Sequence, residues 1–183
     1  MKNWTFKKWN TILGWVVFAI AFITYLSTIE PNFSFWDCGE YISSAVKLEV
    51  THAPGAALFQ LIGAVAAIFG FGDPSKYSVI INAMSALFSA FTILFLFWTI
   101  THLVRRLLNK DFEEVTFTEE ISILFAGVIG ALSFTFSDTF WFSAVEGEVY
   151  SMASMFIALL VWLITKWENE YHEKDNERWL ILI

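Results

Sequence analysis

The chain contains 21 consecutive residues without a formal charge, between Lys8 and Glu30, directly after a lysine-containing N-terminus. A helix of that length rises about 31 Å, which matches the roughly 30 Å hydrocarbon core of a bilayer. The run is too long for the apolar region of a signal peptide, and no small-x-small cleavage site follows it. It therefore predicts an uncleaved transmembrane helix over residues 10–29.

Similar apolar segments recur along the chain. Hydrophobic residues make up 57% of the sequence and charged residues 16%, against about 45–50% and about 25% in soluble domains. Further spans are predicted over residues 78–103, 120–138 and 149–166, with another starting at residue 179. We expect residues 1–183 to form one all-α, polytopic transmembrane helical bundle, with the lipid bilayer as its main partner and no nucleic acid among its ligands.

The basic residues indicate the orientation of the bundle. Lys47 and Lys76 fall in the segments on one side, and the other nine lysines and arginines fall on the side that includes the N-terminus. Because basic residues stay preferentially in the cytoplasm, the N-terminus is predicted to be cytoplasmic. Residues 30–77 and 139–148 then form extracytoplasmic loops. If the chain is bacterial, the membrane is the cytoplasmic (inner) membrane.

Residues 55–71 are apolar enough to form a helix, but Gln60 and Gly63 interrupt the segment and Pro54 precedes it. The sequence leaves open whether this helix spans the bilayer or lies in its interface. A full span would carry the basic residues at 105, 106 and 110 to the outside, against the charge bias. An interfacial or partly re-entrant helix is the interpretation that the charges favour.

Two pairs of carboxylates border the predicted spans: Asp37 and Glu40 in the first outer loop, and Glu146 and Glu148 in the second. Their spacing places Asp37, Glu40 and Ser44 on one face of a helix, although acids at helix starts are also common as simple capping groups. A charge at the bilayer centre costs about 2.5–3.5 kcal/mol, so acids beside spans usually face water or a protein cavity. We expect the two pairs to converge on one site at the outer surface.

His52 follows Asp37 by 15 residues and precedes a Pro-Gly turn. A single histidine is more often a structural hydrogen-bonding residue than a ligand. With Asp37, Glu40 and Glu148 it forms a candidate site for a divalent cation, although the spacing matches no compact metal motif. Cys38 is the only cysteine, which excludes an internal disulfide, and it is interpreted as a small packing residue.

Three blocks of this sequence resemble a known family: FWDCGEY at 35–41, KLEVTHAPG at 47–55, and TFW followed by AVEGEVYS within 139–151. Over essentially its whole length, the chain is similar to bacterial members of a polytopic membrane family, formerly a domain of unknown function. This family is related to the protein O-mannosyltransferases of the GT-C glycosyltransferase superfamily. The resemblance implies that the chain is the N-terminal part of a longer enzyme, with donor-binding parts beyond Ile183, and that the fragment alone is inactive.

The resemblance also implies a GT-C-like fold and transfer of a sugar, with mannose expected, from a polyprenyl-phosphate donor to a protein or other extracytoplasmic acceptor. Asp37 and Glu40 match the acidic position of the family's first outer loop, and Glu148 matches the acid of the second motif. Asp37 is the candidate base, and Glu40 and Glu148 would hold the acceptor or a divalent ion. The candidate substrate-binding residues are Trp36, His52, Glu146 and Tyr150. Because Glu146 is an added acid relative to the family pattern, either glutamate of that block could carry the role.

Two other functional classes stay open. One is a non-catalytic membrane subunit whose outer loop binds a partner, and the other is a transporter component. A transporter usually places its acids near the bilayer midplane on broken helices, whereas the acids of this chain border the predicted spans.

Overall fold

The computed structural model describes residues 2–108, 115–170 and 181, and this part of the chain contains helices and no strands. The helices are α1 (Lys2–Ser27), α2 (Cys38–Lys47), α3 (Ala57–Ala67), α4 (Tyr77–Leu107), α5 (Phe117–Thr135), α6 (Asp138–Ala144) and α7 (Val149–Glu170). Two short 3₁₀ turns, Ile68–Gly70 and Pro74–Lys76, connect α3 to α4.

Four helices are long and apolar enough to cross a membrane: Thr5–Ser27, Pro74–Leu107, Phe117–Thr135 and Val149–Glu168. This confirms the predicted all-α transmembrane bundle, and the chain is an integral membrane protein. The helix borders differ from the predicted ones by a few residues. The start of α5, for example, is set by a capping box in which Thr116 and Glu119 exchange hydrogen bonds, a local signal that hydropathy does not contain. The further span predicted to start at residue 179 lies outside the described residues.

Helix α4 is the centre of the bundle and packs against α1, α5 and α7. Small residues allow these close contacts, as is usual when lipid removes the hydrophobic drive between helices. A Cβ atom on Gly127 of α5 would lie 2.5 Å from Cγ2 of Thr101 on α4. The main buried cluster joins α1, α4, α5 and α6 and consists of Val17, Ala21, Tyr25, Ala86, Ala90, Ile93, Phe97, Ala131, Phe140 and Ala144.

Hydrogen bonds show which helix ends lie together. The backbone N–H of Glu30 donates to the carbonyl of Val145 at 3.2 Å, and Nε1 of Trp141 donates to Oγ1 of Thr28 at 2.9 Å. The residues after α1 therefore lie beside those between α5 and α7. We call this end of the bundle, with residues 28–56 and 136–148, the acidic end. At the opposite end, Nε2 of His102 lies 3.2 Å from Oε2 of Glu168.

The helix pair α2–α3 packs over the first turns of α4. Tyr41, Ile42 and Ala45 of α2 share a buried cluster with Phe59 of α3 and with residues of α4. The apolar segment containing α3, Ala57–Gly70, is shorter than a membrane span. Its opposite side exposes Leu58, Leu61 and Val65. Packing of α2 against α3 and α4 fixes the helix that bears the first pair of acids.

Candidate active site at the acidic end

Asp37 is presented to solvent by the start of α2. Its backbone carbonyl accepts a hydrogen bond from the N–H of Tyr41 at 2.9 Å, which holds it against the first turn of the helix. Its side chain makes no capping hydrogen bond and is 54% exposed. The next residue, Cys38, is fully buried. The carboxylate of Asp37 is thus held at the edge of a packed helix and remains accessible to a substrate.

Glu40 holds His52 beside Asp37. One oxygen of Glu40, Oε1, accepts the backbone N–H of His52 at 2.7 Å, and the other, Oε2, lies 3.0 Å from Nδ1 of its ring. The second ring nitrogen, Nε2, then lies 3.7 Å from Oδ2 of Asp37. The turn after His52 is closed by a hydrogen bond from the N–H of Gly55 to the His52 carbonyl at 2.8 Å. The structure therefore brings these three predicted residues together.

Glu40 and His52 each stabilise the charged form of the other. The hydrogen bonds from the His52 backbone and ring lower the pKa of Glu40. The hydrogen bond with Glu40 raises the pKa of His52; desolvation opposes this shift, and the charges of Glu40 and Asp37 add to it. Glu40 is therefore ionised at neutral pH. Its carboxylate contacts Nδ1 of His52, and Nε2 of the same ring faces Asp37. Such a carboxylate contact fixes the orientation of an imidazole ring.

Glu148 lies close to the first pair but in a different environment. It is only 5% exposed, and burial, followed by the charges of Glu146 and Asp37, raises the pKa of its carboxyl to about 7. Within the described residues its carboxylate makes no hydrogen bond or ion pair. An exposed carboxylate of the first loop, Asp37, thus lies near a buried one of the second loop.

The carboxyl of Glu146 has different neighbours from that of Glu148. It is 3% exposed, and burial raises the pKa of its carboxyl, with a hydrogen bond from Ser34 opposing the shift and the charge of Glu30 adding to it. Its Oε2 atom is buried and has no partner within the part of the chain that the structure describes. Of the two glutamates in this block, Glu148 is the one whose charge is coupled to Asp37.

Sequence reasoning missed Asn82, because it lies inside a predicted span. This residue is fully buried at the start of α4, and its amide donates to the carbonyls of Glu30 at 2.7 Å and Asn32 at 2.8 Å. A Cβ on Gly147 would lie 2.9 Å from Oδ1 of Asn82. Asn82 therefore joins α4 to both acid-bearing loops. A polar amide in an otherwise apolar segment was the available signal.

Cys38 also joins the two loops. Burial raises the pKa of its thiol, and hydrogen bonds to the backbone of Ser34 and Gly147 oppose that shift. Its sulfur therefore contacts one residue before α2 and one between the two glutamates of the second loop. The interpretation as a packing residue fits its complete burial.

The other candidate residues surround the cluster. Trp36 is 89% exposed and has a φ of +60°, a left-handed conformation that bulky residues rarely adopt. Tyr150 is exposed on the first turn of α7. Among the described residues, no lysine or arginine, Lys47 included, forms an ion pair with the two acid pairs.

A family model described as the protein O-mannosyl-transferase TMEM260 N-terminal domain matches residues 37–183. The chain belongs to this family. It is 30% identical to the protein O-mannosyl-transferase tmem260 of Dictyostelium discoideum over 167 residues, which are 90% of the chain and 18% of that relative. It is 29% identical to the protein O-mannosyl-transferase TMEM260 of Mus musculus over 163 residues, 88% of the chain and 20% of the relative.

The chain therefore spans about a fifth of the length of these two curated relatives. No solved structure is significantly similar to it. The family match begins at Asp37 and includes His52 and both glutamates of the second loop. The residues that form the cluster thus all lie within the matched region.

Proposed function

We propose that this chain forms part of a membrane glycosyltransferase that moves mannose from a polyprenyl-phosphate donor to a hydroxyl of a protein acceptor. Family membership supports a glycosyltransferase-type function, since the family and both relatives are named for protein O-mannosyl transfer. The single observation that carries the proposal is the convergence of Asp37, His52 and Glu148 at one end of the bundle.

The chemistry requires a base for the acceptor. The carboxylate of Asp37 takes the proton of the acceptor hydroxyl while that oxygen attacks the anomeric carbon of the sugar. The bond from the anomeric carbon to the phosphate oxygen breaks, and its electron pair leaves with the polyprenyl phosphate. Asp37 suits this role because it is exposed, and its carboxylate is not used to cap α2. General-base catalysis of this kind typically contributes about 10²–10⁴-fold.

The leaving phosphate requires a positive charge. His52 is the group at the cluster that can present one, because its Nε2 edge faces Asp37 while Nδ1 is held by Glu40. Charge placed where negative charge develops in the transition state is usually the largest electrostatic contribution to catalysis.

The remaining acids then divide into two roles. Glu148 holds the acceptor, because it is the buried carboxylate whose charge is coupled to Asp37. Both oxygens of Glu40 are engaged by His52, so Glu40 positions the histidine and does not contact the acceptor. Trp36 and Tyr150 offer exposed aromatic surfaces for the sugar or the acceptor chain, and Glu146 supports the second loop from its contact with Ser34.

The acidic end is extracytoplasmic in this proposal. The N-terminus is cytoplasmic, residues 30–77 and 139–148 form the outer loops, and α3 lies in the outer membrane interface. The distribution of lysines and arginines supports this orientation. The proposal places the donor-binding parts in a longer protein, outside this chain, which covers about a fifth of the length of its two curated relatives.

The test follows labelled mannose with the purified full-length protein in vesicles. We expect transfer to an acceptor protein from a polyprenyl-phosphate mannose donor and no transfer from a soluble nucleotide-linked mannose. Transfer from neither donor to any acceptor tried would contradict the proposal and favour the non-catalytic subunit. Mannose uptake into sealed vesicles without transfer would favour the transporter.

A further inference from the structure

The cluster around Asp37 has an excess of negative charge. In the part of the chain that the structure describes, the carboxylates of Asp37, Glu40 and Glu148 have no lysine or arginine partner. The imidazole of His52 is the one group found to pair with the first two. Carboxylates grouped in this way with a histidine are the ligand types that bind divalent metal ions.

The distance between Asp37 and His52 suits two ligands of one ion. Their facing atoms, Oδ2 and Nε2, are 3.7 Å apart, which is too long for a direct hydrogen bond. Two ligand atoms about 2.1–2.2 Å from one ion lie roughly 3–3.7 Å apart at angles of about 90–120°. Ligand atoms of Asp37, Glu40 and His52 all lie within 4.8 Å of one another.

Glu40 prepares His52 for such a role. A metal-binding histidine almost always directs its other ring nitrogen to a carboxylate or carbonyl, which fixes the ring and makes the ligating nitrogen more basic. Glu40 makes this contact with Nδ1 at 3.0 Å, and it also accepts the backbone N–H of His52 at 2.7 Å. Nε2 is thereby left as the nitrogen that faces Asp37.

The other loop adds a further negative charge near the cluster. Glu148 is 5% exposed and has no hydrogen bond or ion pair among the described residues, yet it lies close enough to Asp37 for their charges to interact. A further carboxylate near Asp37 adds unfavourable negative charge to the cluster. A cation at the cluster would offset this charge.

We propose that Oδ2 of Asp37 and Nε2 of His52 bind a divalent cation, with Glu40 as the positioning residue that orients the imidazole ring. The cation then replaces the proton on Nε2, and His52 supplies the positive charge at the leaving phosphate by holding the cation. Mixed nitrogen and oxygen ligands at an exposed site suit a cation such as Mn²⁺. Two protein ligands leave coordination positions open for water and for the phosphate oxygens of a donor, as in many phosphate-dependent metal sites. This last step rests on the proposed function, whereas binding of the cation does not.

Asp37 can bind the cation and also act as the base. Asp37 has two carboxylate oxygens, and Oδ2 is the one that faces His52. Oδ1 is then available to the acceptor hydroxyl. A cation next to that hydroxyl would make it more acidic and would stabilise the leaving phosphate, two of the established uses of metal ions in catalysis.

The experiment measures binding of Mn²⁺ alone to the purified full-length protein in detergent after treatment with EDTA. Electron paramagnetic resonance of the unbound ion gives the affinity without donor or acceptor. We expect His52→Ala and Asp37→Asn to weaken binding by at least about tenfold, and Glu40→Ala by about 10–100-fold. Glu49→Gln is the matched control, because Glu49 is an exposed carboxylate of the same loop. It should bind as the native protein does.

Thermal unfolding of each variant without metal separates loss of ligand from loss of fold. The proposal is overturned if the native protein binds no Mn²⁺ at millimolar concentration, or if folded His52→Ala binds it with native affinity. Full mannose transfer by native protein that does not bind added Mn²⁺ would overturn the cation site and leave the transferase function standing. Binding that depends on His52 in a protein without transferase activity would support the cation site and contradict the proposed function.

Discussion

Replacing Asp37 by asparagine is expected to lower the kcat of mannose transfer by about 10²–10⁴-fold. The substitution keeps the shape of the side chain and removes its ability to accept a proton. Because Asp37 makes no capping hydrogen bond to α2 and its side chain is 54% exposed, the fold should be unaffected. The measurement is single-turnover transfer from labelled polyprenyl-phosphate mannose by the full-length protein.

Two controls make this result specific. Glu49→Gln removes an exposed carboxylate of the same loop and should transfer at the native rate. Saturating Mn²⁺ should leave Asp37→Asn inactive, because a metal ion cannot replace the base. A rate within about threefold of native would remove Asp37 from the chemistry.

Replacing Gly147 by alanine is expected to destabilise the fold by about 1–3 kcal/mol and to reduce transfer strongly. The added Cβ would lie 2.9 Å from Oδ1 of Asn82 and 3.1 Å from side-chain atoms of Ile42 and Ile81. These neighbours cannot move easily. Ile81 is fully buried, and the amide of Asn82 is held by two backbone carbonyls. The second loop should therefore move away from α2, and Glu148 should move with it.

The matched control is the same substitution at Gly39. A Cβ at Gly39 would meet its nearest atoms, on Phe33, at 3.6–3.7 Å, which is ordinary contact, and alanine is favoured over glycine within a helix such as α2. Gly39→Ala should therefore be neutral or stabilising. Thermal unfolding in detergent compares the two variants. A native melting temperature and native transfer in Gly147→Ala would show that close packing between the loops is not required.

The spanning helices could be predicted because hydropathy is a local property. An uncharged run such as residues 9–29 is sufficient to identify α1, since the bilayer and not the rest of the protein is its solvent. The positions of helix borders depend on caps such as Thr116 with Glu119, and hydropathy does not detect these. The location of residues 55–71 relative to the bilayer stays a prediction.

The site was only partly accessible to sequence reasoning. Asp37 and Glu40 are three residues apart, so helical geometry alone places them together. Ser44 lies on the same face but is buried, because helical spacing does not show what packs against a face. The return of His52 to Glu40 depends on a loop, and the different surroundings of Glu146 and Glu148 depend on contacts between loops, so neither follows from spacing.

We propose that the acidic end carries the site of sugar transfer, on the side of the membrane opposite the N-terminus. The most direct test reconstitutes the full-length protein into sealed vesicles with the donor lipid in both leaflets and a membrane-impermeant acceptor peptide outside. Protease accessibility of an N-terminal tag reports the orientation of each preparation. We expect mannose transfer to the peptide only where the N-terminus is inside the vesicle. Transfer confined to vesicles with an external N-terminus would contradict it.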